Sequence, residues 1–370
     1  MKVLHLNAGN ETGGGMHHIL GLMKRLDKEQ FILGVMEKGE LFQRAKAAGI
    51  NTVHFGCSNK LSIPLVRKLK AFMMEENISF LHTHGPRANV YASILKKLVS
   101  FRWVVTVHSN PLLDFMGKGI YGKLLSHVNI RAMKQADKLI AISDPFKTCL
   151  IESGILEEKI TTELNGIDFK QKHGGPTYKK AEFGIPEEDF LILMVARLDP
   201  VKGHAIAFKA FAQLLAACNT CHLLVVGDGA LFDKLKKDAA VQGLEKNIHF
   251  LGHRNDIDSL YKMADVTLLT SLSESFPLVL LESARVQTPI IATDVGGVSQ
   301  LITDKSLGWK VSPGDASEVA LALKEAFNFY RKGMLPLMGE KLYSHASSKF
   351  TLEKFAENVY NVYLGMKNVN

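Results

Sequence analysis

Val266-Thr-Leu-Leu-Thr270 leads into Ser271-Leu-Ser-Glu-Ser-Phe-Pro-Leu-Val-Leu-Leu-Glu282, and Thr288-Pro-Ile-Ile-Ala-Thr-Asp-Val-Gly-Gly297 follows. A short apolar run, a polar loop, a helix and a second apolar run make a strand–helix–strand unit, the building block of a parallel sheet. The pattern predicts strands over Val266–Thr270 and Ile290–Thr293, with Pro277 in the first turn of the helix, where its missing N–H costs nothing. Glu274 stands in the loop and Glu282 about one and a half turns into the helix. Two carboxylates therefore flank the amide-rich, positive end of one helix, and in an open α/β sheet ligands bind beyond the carboxyl ends of the strands. The same pair also fits a solvated loop residue and a surface helix residue; taken alone it does not separate the two readings.

Upstream, Phe190-Leu-Ile-Leu-Met-Val-Ala-Arg-Leu198 is a continuous apolar run of the kind buried on both faces of a parallel sheet. It ends in Asp199-Pro-Val-Lys-Gly203 before a helix, so Arg197 and Lys202 stand around a loop where two cations and free amides could clamp a diphosphate. His222-Leu-Leu-Val-Val-Gly-Asp-Gly229 repeats the strand-to-glycine-turn pattern, and Asn247–Leu251 reads as a further strand. In the first half, Lys2–Leu6 runs into Asn7-Ala-Gly-Asn-Glu-Thr-Gly-Gly-Gly15 and an amphipathic helix. That order can cradle a phosphate or simply make a tight turn, and its spacing is neither G-x-G-x-x-G nor a P-loop. Strand patterns over Phe31–Met36, Thr52–Phe55, Phe80–His84, Trp103–His108 and Lys138–Ser143 then alternate with helical ones, which implies a doubly wound parallel sheet. Histidines gather at the strand ends: His82, His84 and His108. The H-x-H pair admits a metal reading, a structural one and a substrate-facing one, the last two preferred.

At 370 residues the chain exceeds what one core usually supports, and two domains are expected. The linker-like stretch Lys170–Lys180, with Gly174, Gly175 and Pro176, divides them into 1–170 and 171–350, leaving 351–370 as a terminal helix. Residues 1–170 hold 23 Lys and Arg against 15 Asp and Glu, whereas the remainder is balanced at 22 against 22. A basic first half suits an anionic acceptor or an anionic membrane surface, and ordinary surface variation is the alternative. Nucleic acid is disfavoured because no basic-aromatic reading motif accompanies the charge. Cys218-Asn-Thr-Cys221 has no second pair to complete a zinc site, and Cys57 and Cys149 add no disulfide framework, so the four cysteines read as structural thiols of a reducing cytoplasm. The apolar run Val3–Leu6 is too short for a signal peptide, and none approaches a membrane span.

Arg197-Leu-x3-Lys202-Gly, Gly227-Asp-Gly229 and Glu274-x7-Glu282, followed by Pro289 and Gly296-Gly297, resemble the C-terminal signature of the family 4 retaining glycosyltransferases. The N-terminal glycine loop, His82-x-His84-Gly, Val107-His108 and Asn165-Gly-Ile-Asp168 match the same family in the same order, so the resemblance covers nearly the whole chain. It implies the GT-B fold, two Rossmann-like domains with parallel sheets facing across a cleft, the first binding the acceptor and the second a nucleotide-sugar donor. It further implies that Arg197 and Lys202 neutralise the donor diphosphate, that Glu274 contacts sugar hydroxyls beside Ser275, Phe276, Pro277 and Leu278, and that Glu282 binds the ribose. Arg254, within His253–Asn255, would lie near the base; Gly227, Gly14 and Gly15 would line the donor site, the last two near the phosphates. His108 would approach the sugar, and His84 would stand on the acceptor side.

By the same resemblance the donor is a UDP-, GDP- or ADP-sugar, UDP first among them. The basic first half, in turn, favours as acceptor an anionic lipid, polymer or lipid-linked envelope precursor at the inner face of the membrane. Retention admits same-face attack with the leaving phosphate as base or a double displacement through a protein nucleophile; the first is preferred because the family usually has no carboxylate placed as nucleophile, and no cofactor or metal is expected. Ser275 stands where the family often has Gly, a departure that bears on donor choice. Asp256-Ile-Asp258 spells a metal-binding D-x-D, but Asp256 opens a helix over Ile257–Met263 and is expected to be its N-cap. The terminal helix, with Phe355, Val359, Tyr360 and Tyr363 as its apolar stripe, is expected to cross back to the first domain or else to pack within the second. A sugar-nucleotide hydrolase or epimerase and a non-catalytic sugar-nucleotide-binding module are the competing functions; the intact set Arg197, Lys202, Glu274 and Glu282 argues against the second of these.

Overall fold

A computed structural model describes residues 1–11, 13–57, 62–112, 114–115, 119–171 and 175–367; Thr12 of the glycine loop and Gly174 of the linker lie outside them. The chain divides into two compact units, Met1–Gly166 with Leu352–Asn370, and Ile167–Thr351. The boundary thus falls inside Asn165-Gly-Ile-Asp168, a few residues before the position drawn from composition, and the terminal helix belongs with the first unit.

The first unit is built on β1 (Val3–Asn7), β2 (Phe31–Val35), β3 (Thr52–His54), β4 (Phe80–His84), β5 (Arg102–Val107), β6 (Lys138–Ala141) and β7 (Ile160–Thr162). The second carries β8 (Phe190–Val195), β9 (Cys221–Val226), β10 (Ile248–Gly252), β11 (Val266–Leu269), β12 (Ile290–Thr293) and β13 (Trp309–Val311). Both sheets are parallel, in the orders β3-β2-β1-β4-β5-β6-β7 and β10-β9-β8-β11-β12-β13. In each, the order reverses beside the first strand, at β1/β4 and at β8/β11, and crevices at such reversals are where open α/β sheets bind ligands.

Helices α1 (Gly13–Arg25), α2 (Glu40–Ala47), α3 (Ile63–Glu75), α4 (Pro86–Leu95), α5 (Gly119–Met133) and α6 (Asp144–Glu152) cross over the first sheet. Helices α7 (His204–Leu215), α8 (Phe232–Val241), α9 (Ile257–Met263), α10 (Leu278–Arg285), α11 (Val298–Leu301), α12 (Ala316–Arg331) and α13 (Leu335–Lys349) belong to the second unit. The last, α14 (Leu352–Lys367), packs on α1. Its stripe Phe355, Ala356, Val359, Tyr363 and Met366 enters the apolar cluster of Val3, Ile19, Leu22, Phe31 and Phe80. Burying such side chains stabilises by about 1.5–3 kcal/mol each, so the first unit is completed by residues that follow the whole of the second. Among the described residues, no helix is long and apolar enough to cross a membrane.

Candidate active site

The loop after β8 and the loop after β11 leave neighbouring strands at the reversal of the second sheet, and their backbones are tied together. Leu272 N donates to Val201 O at 2.7 Å, and Thr270 Oγ1 donates to Gly203 O at 3.0 Å. Gly203 has φ +68°, and a Cβ there would fall 2.0 Å from Thr270 O, so only glycine permits this approach. The consequence is the Lys202 position: its Nζ lies 2.5 Å from Glu274 Oε1, and Ser271 Oγ donates to the same oxygen at 2.6 Å. Both side chains are largely buried. Lys202 and Glu274 therefore form a largely buried ion pair. Arg197 is exposed and, among the described residues, pairs with Asp199 at 3.1 Å.

Gly227 has φ +137°, and a Cβ on it would stand 2.0 Å from Ala196 O. Its bareness lets the loop after β9 press against the exit of β8. Pro277 is not in the first turn but is the residue before it, with α10 starting at Leu278. Proline is as acceptable there, having φ −73° already set. Because Pro277 has no N–H, amides offered at this helix start come from its neighbours, Phe276 and Leu278. The Phe276 ring is buried against Phe350, so only its backbone is left to meet a ligand. Ser275 is held through its carbonyl, which accepts from Gly297 N at 2.9 Å.

Glu282 is half-buried in α10 and, among the described residues, no donor bonds its carboxylate. Burial pushes its pKa up; the Arg285 guanidinium pulls it down, and Asp258 adds to the rise. A part-buried carboxylate without a protein partner is costly to keep, which makes Glu282 a candidate ligand contact. His204, at the start of α7, was not singled out by sequence reading, yet both its ring nitrogens are buried without partners. Burial, with Lys202 beside it, holds its pKa down at about 4.

The expectation for Asp256 needs correction. It precedes α9, but its side chain does not cap that helix. Its oxygens take Arg254 Nε at 2.9 Å, Arg254 Nη2 at 2.6 Å and the Tyr178 hydroxyl at 2.6 Å. The bidentate Arg254 pair outcompetes a backbone amide and holds the Asp256 carboxyl down at about 2. Asp258 pairs with Arg285 at 2.7 Å. Each carboxylate of the D-x-D thus pairs with its own arginine, and Arg254 holds Asp256 and the Tyr178 hydroxyl through Nε and Nη2.

In the first unit the strand register explains the histidines. His5 is the partner of His82 across β1/β4, and Asn7 is the partner of His84; side chains two apart share a face. His5, His82 and His84 therefore stack under α14. His84, expected on the acceptor side, is 1% exposed, with Nε2 2.9 Å from His5 Nδ1 and Nδ1 2.9 Å from His108 Nε2. Buried and bonded at both nitrogens, it braces His108 and is not itself open to a ligand. His82 meets Tyr363 OH at 2.5 Å and Thr106 Oγ1 at 2.7 Å.

His18, on α1, meets Asn165 Oδ1 at 2.5 Å and sets its ring edge-on to His108. Among the described residues, His18 Nε2 and His108 Nδ1 are buried without partners. Burial holds His5 at about 3 and His18 at about 4, and pushes His82, His84 and His108 well below the usual histidine range. Among the described residues, His5/His82/His84 and His18/His84/His108 are close enough to hold a metal ion. Their nitrogens, however, are largely turned on one another as hydrogen-bond partners.

A cavity of about 120 Å³ opens beside His108, lined also by Glu11, Asn89, Ser109, Asp114 and Asn129. Burial pushes both carboxyls up, and Asp114 adds to the rise at Glu11. Gly14 and Gly15 form the first turn of α1; a Cβ on Gly14 would meet nothing within 4 Å, while one on Gly15 would strike the Glu11 carboxylate.

Residues 12–171 match the family described as Glycosyltransferase Family 4, and residues 177–331 match Glycosyl transferases group 1. The chain is 27% identical to the N-acetyl-alpha-D-glucosaminyl L-malate synthase of Bacillus anthracis, over 81% of this chain and 78% of that protein. It is 26% identical to an Escherichia coli UDP-Gal:alpha-D-GlcNAc-diphosphoundecaprenol alpha-1,3-galactosyltransferase, over 99% of this chain and 97% of that one. Among solved structures, Anabaena Alr3699/HepE in complex with UDP superposes with a TM-score of 0.84 at 22% identity, covering 99% of this chain and 100% of that one.

Proposed function

The chain belongs to the family 4, group 1 glycosyltransferases with the GT-B fold, and on that premise we propose that it moves a sugar, with retention, from a UDP-sugar to a hydroxyl of an anionic or lipid-linked acceptor without a metal ion. Transfer from a nucleotide sugar is the activity of its family; the base, the stereochemistry, the metal independence and the acceptor are the proposed part. The observation that supports the donor site is the Lys202–Glu274 pair at the reversal of the second sheet, followed on α10 by the half-buried Glu282, whose carboxylate no donor bonds among the described residues.

Lys202, with the exposed Arg197, would neutralise the diphosphate as the leaving group takes up charge, an electrostatic effect worth most where water is excluded. That makes a metal unnecessary. Glu274, pinned by Lys202 and Ser271, would accept from sugar hydroxyls, and Glu282 from the ribose. With Glu274 so committed, the leaving phosphate itself would take the acceptor proton on the same face, which retains configuration. His108 would touch the transferred sugar, and the cavity beside it, with its raised carboxyls, suits hydroxyls better than a phosphate. The anionic part of the acceptor would be met by the Lys and Arg excess of the first unit. An acceptor of the diphosphoundecaprenol class, for which the Escherichia coli relative is named, fits that charge.

Melting curves with UDP, GDP, ADP and their sugars test the donor. The expected result is selective stabilisation by UDP compounds, about 2.7 kcal/mol at a hundredfold excess over Kd, lost in Lys202→Ala. Arg197→Ala and Lys202→Ala should each cut transfer by about 100-fold or more while remaining folded. Near-normal transfer in both would remove the diphosphate assignment, and selective stabilisation by GDP or ADP would change the base. Complete loss on EDTA treatment with rescue by a metal would reopen the histidine clusters.

A further inference from the structure

We propose that His5, His84 and Tyr363 are positioning residues that fix the tautomer of His108, so that this imidazole offers an N–H from Nδ1 to its ligand. The proposal rests on the reading above for one point only, that the ligand of His108 is the transferred sugar.

The geometry is a single chain of hydrogen bonds. It runs from His108 Nε2 to His84 Nδ1 at 2.9 Å, from His84 Nε2 to His5 Nδ1 at 2.9 Å, and from His5 Nε2 to the Tyr363 hydroxyl at 3.2 Å. It continues from that hydroxyl to His82 Nδ1 at 2.5 Å and from His82 Nε2 to Thr106 Oγ1 at 2.7 Å. Four imidazoles and two hydroxyls make five links. Each neutral imidazole and each hydroxyl carries one hydrogen, so each link receives one if all point the same way; the other arrangement, Tyr363 accepting from both His82 and His5, leaves the hydrogen of a fully buried hydroxyl with no acceptor among the described residues. A link with two hydrogens or none would strand a buried polar group, at a cost the interior does not tolerate.

Two senses remain. In the first, Thr106 donates to His82, His82 Nδ1–H to Tyr363, Tyr363 to His5 Nε2, His5 Nδ1–H to His84 and His84 Nδ1–H to His108 Nε2. The last hydrogen then sits on His108 Nδ1. In the reverse sense Thr106 becomes the acceptor, and its own hydrogen needs another partner. Thr106 is 1% exposed and, among the described residues, His82 is its side chain's hydrogen-bond partner. The first sense is therefore selected. Among the described residues, His108 Nδ1, where the run of hydrogen bonds ends, is buried without a partner and is left for a ligand. Burial holds all four imidazoles neutral, as the arrangement requires.

The hydrogens are supplied by distant parts of the sequence. Tyr363 comes from α14, and without it His82 and Thr106 lose their connection to His108. The selected tautomer, Nδ1–H, is the less populated one for an imidazole free in water, so a uniform Nδ1–H pattern is a specific signature of the chain.

The test is nitrogen-15 NMR of histidine-labelled full-length protein, which distinguishes the two tautomers, the imidazolium and a metal-bound nitrogen. His5, His82, His84 and His108 are expected to read as Nδ1–H. Tyr363→Phe keeps the ring and removes the hydroxyl; Thr106→Val keeps the shape and removes the donor, and serves if the first variant does not fold. Each should leave His108 in a mixture of tautomers and lower kcat by about tenfold, the loss of one well-placed donor, with donor KM within twofold. An Nε2–H reading at His108 in the native protein overturns the proposal, as does an unchanged Nδ1–H in either folded variant. One zinc per chain with a metal-bound signal at His84 also overturns it. If the tautomers respond as expected while His108→Ala transfers sugar normally, the chain stands and the sugar contact assigned to His108 falls.

Discussion

Glu282 shows how function can be bought against stability at one side chain. Its carboxylate is held above the usual range by burial, with no hydrogen bond among the described residues to repay the desolvation. A group whose folded pKa exceeds its unfolded value of about 4.3 weakens folding at neutral pH, because the unfolded chain ionises more readily. Glu282→Gln keeps the shape and removes the charge. It should therefore raise the melting temperature at pH 7, with the gain fading as pH falls towards about 4. If Glu282 binds the ribose as proposed, the same change removes a charged acceptor worth about 1.5–3 kcal/mol, and donor KM should rise by about 10- to 100-fold with a smaller change in kcat. Melting curves at both pH values with initial rates check the pair of effects; a lowered melting temperature at pH 7 together with an unchanged KM would assign Glu282 to structure.

At the level of elements, α5 presents an exposed face that its own unit does not cover. Ile120, Leu124 and Val128, spaced four apart, are 88%, 59% and 43% exposed, and Lys123, Arg131 and Lys134 stand exposed alongside. An apolar stripe bordered by cations is a pattern shared with helices that lie in the interface of an anionic bilayer, and vesicle binding tests whether α5 acts in this way. Ile120→Ser/Leu124→Ser should cut sedimentation with vesicles containing anionic lipid by about tenfold, since each buried apolar side chain contributes about 1.5–3 kcal/mol, while binding to neutral vesicles stays weak throughout. Equal sedimentation of native and variant protein would remove this role.

The strands of both units were legible because buried parallel strands read as apolar runs: Phe80–His84 and Ile290–Thr293 fall where the pattern puts them. The start of α10 was missed by one residue because proline suits either position. Asp256 was misread because one of its partners, Tyr178, lies 78 residues away. The relay residues His5 and Tyr363 gave no local signal at all. His5 becomes visible only when β1 is set beside β4, and Tyr363 looks like one more apolar position of an amphipathic helix.

For the whole molecule, the uneven placement of buried imidazoles makes the two units respond differently to acid. His5, His18, His82, His84 and His108 all lie in the first unit, and burial lowers each below the unfolded value of about 6.5. As pH falls through that value the unfolded chain binds protons that the folded unit refuses, and stability is lost progressively. At pH 5.5 the loss is about 1.4 kcal/mol per imidazole, or several kcal/mol over the five, comparable with the ~5–15 kcal/mol that holds a domain together. Glu11, Asp114 and Glu163, whose pKa values are raised, work in the opposite sense but become protonated in the unfolded chain only near pH 4, so they offset part of the loss. The second unit has fewer such groups, His204 and His249 among them, and the Asp256 pair keeps its charge down to about pH 2. Calorimetry between pH 8 and pH 5.5 should therefore show the first unit's transition moving to lower temperature ahead of the second's. Hydrogen exchange should assign the early transition to β1, β4 and α14, where the cluster is buried. Early exchange confined to β8 and β11 would mean that the histidines do not set the acid stability, and with it would go the claim that they are neutral in the folded protein.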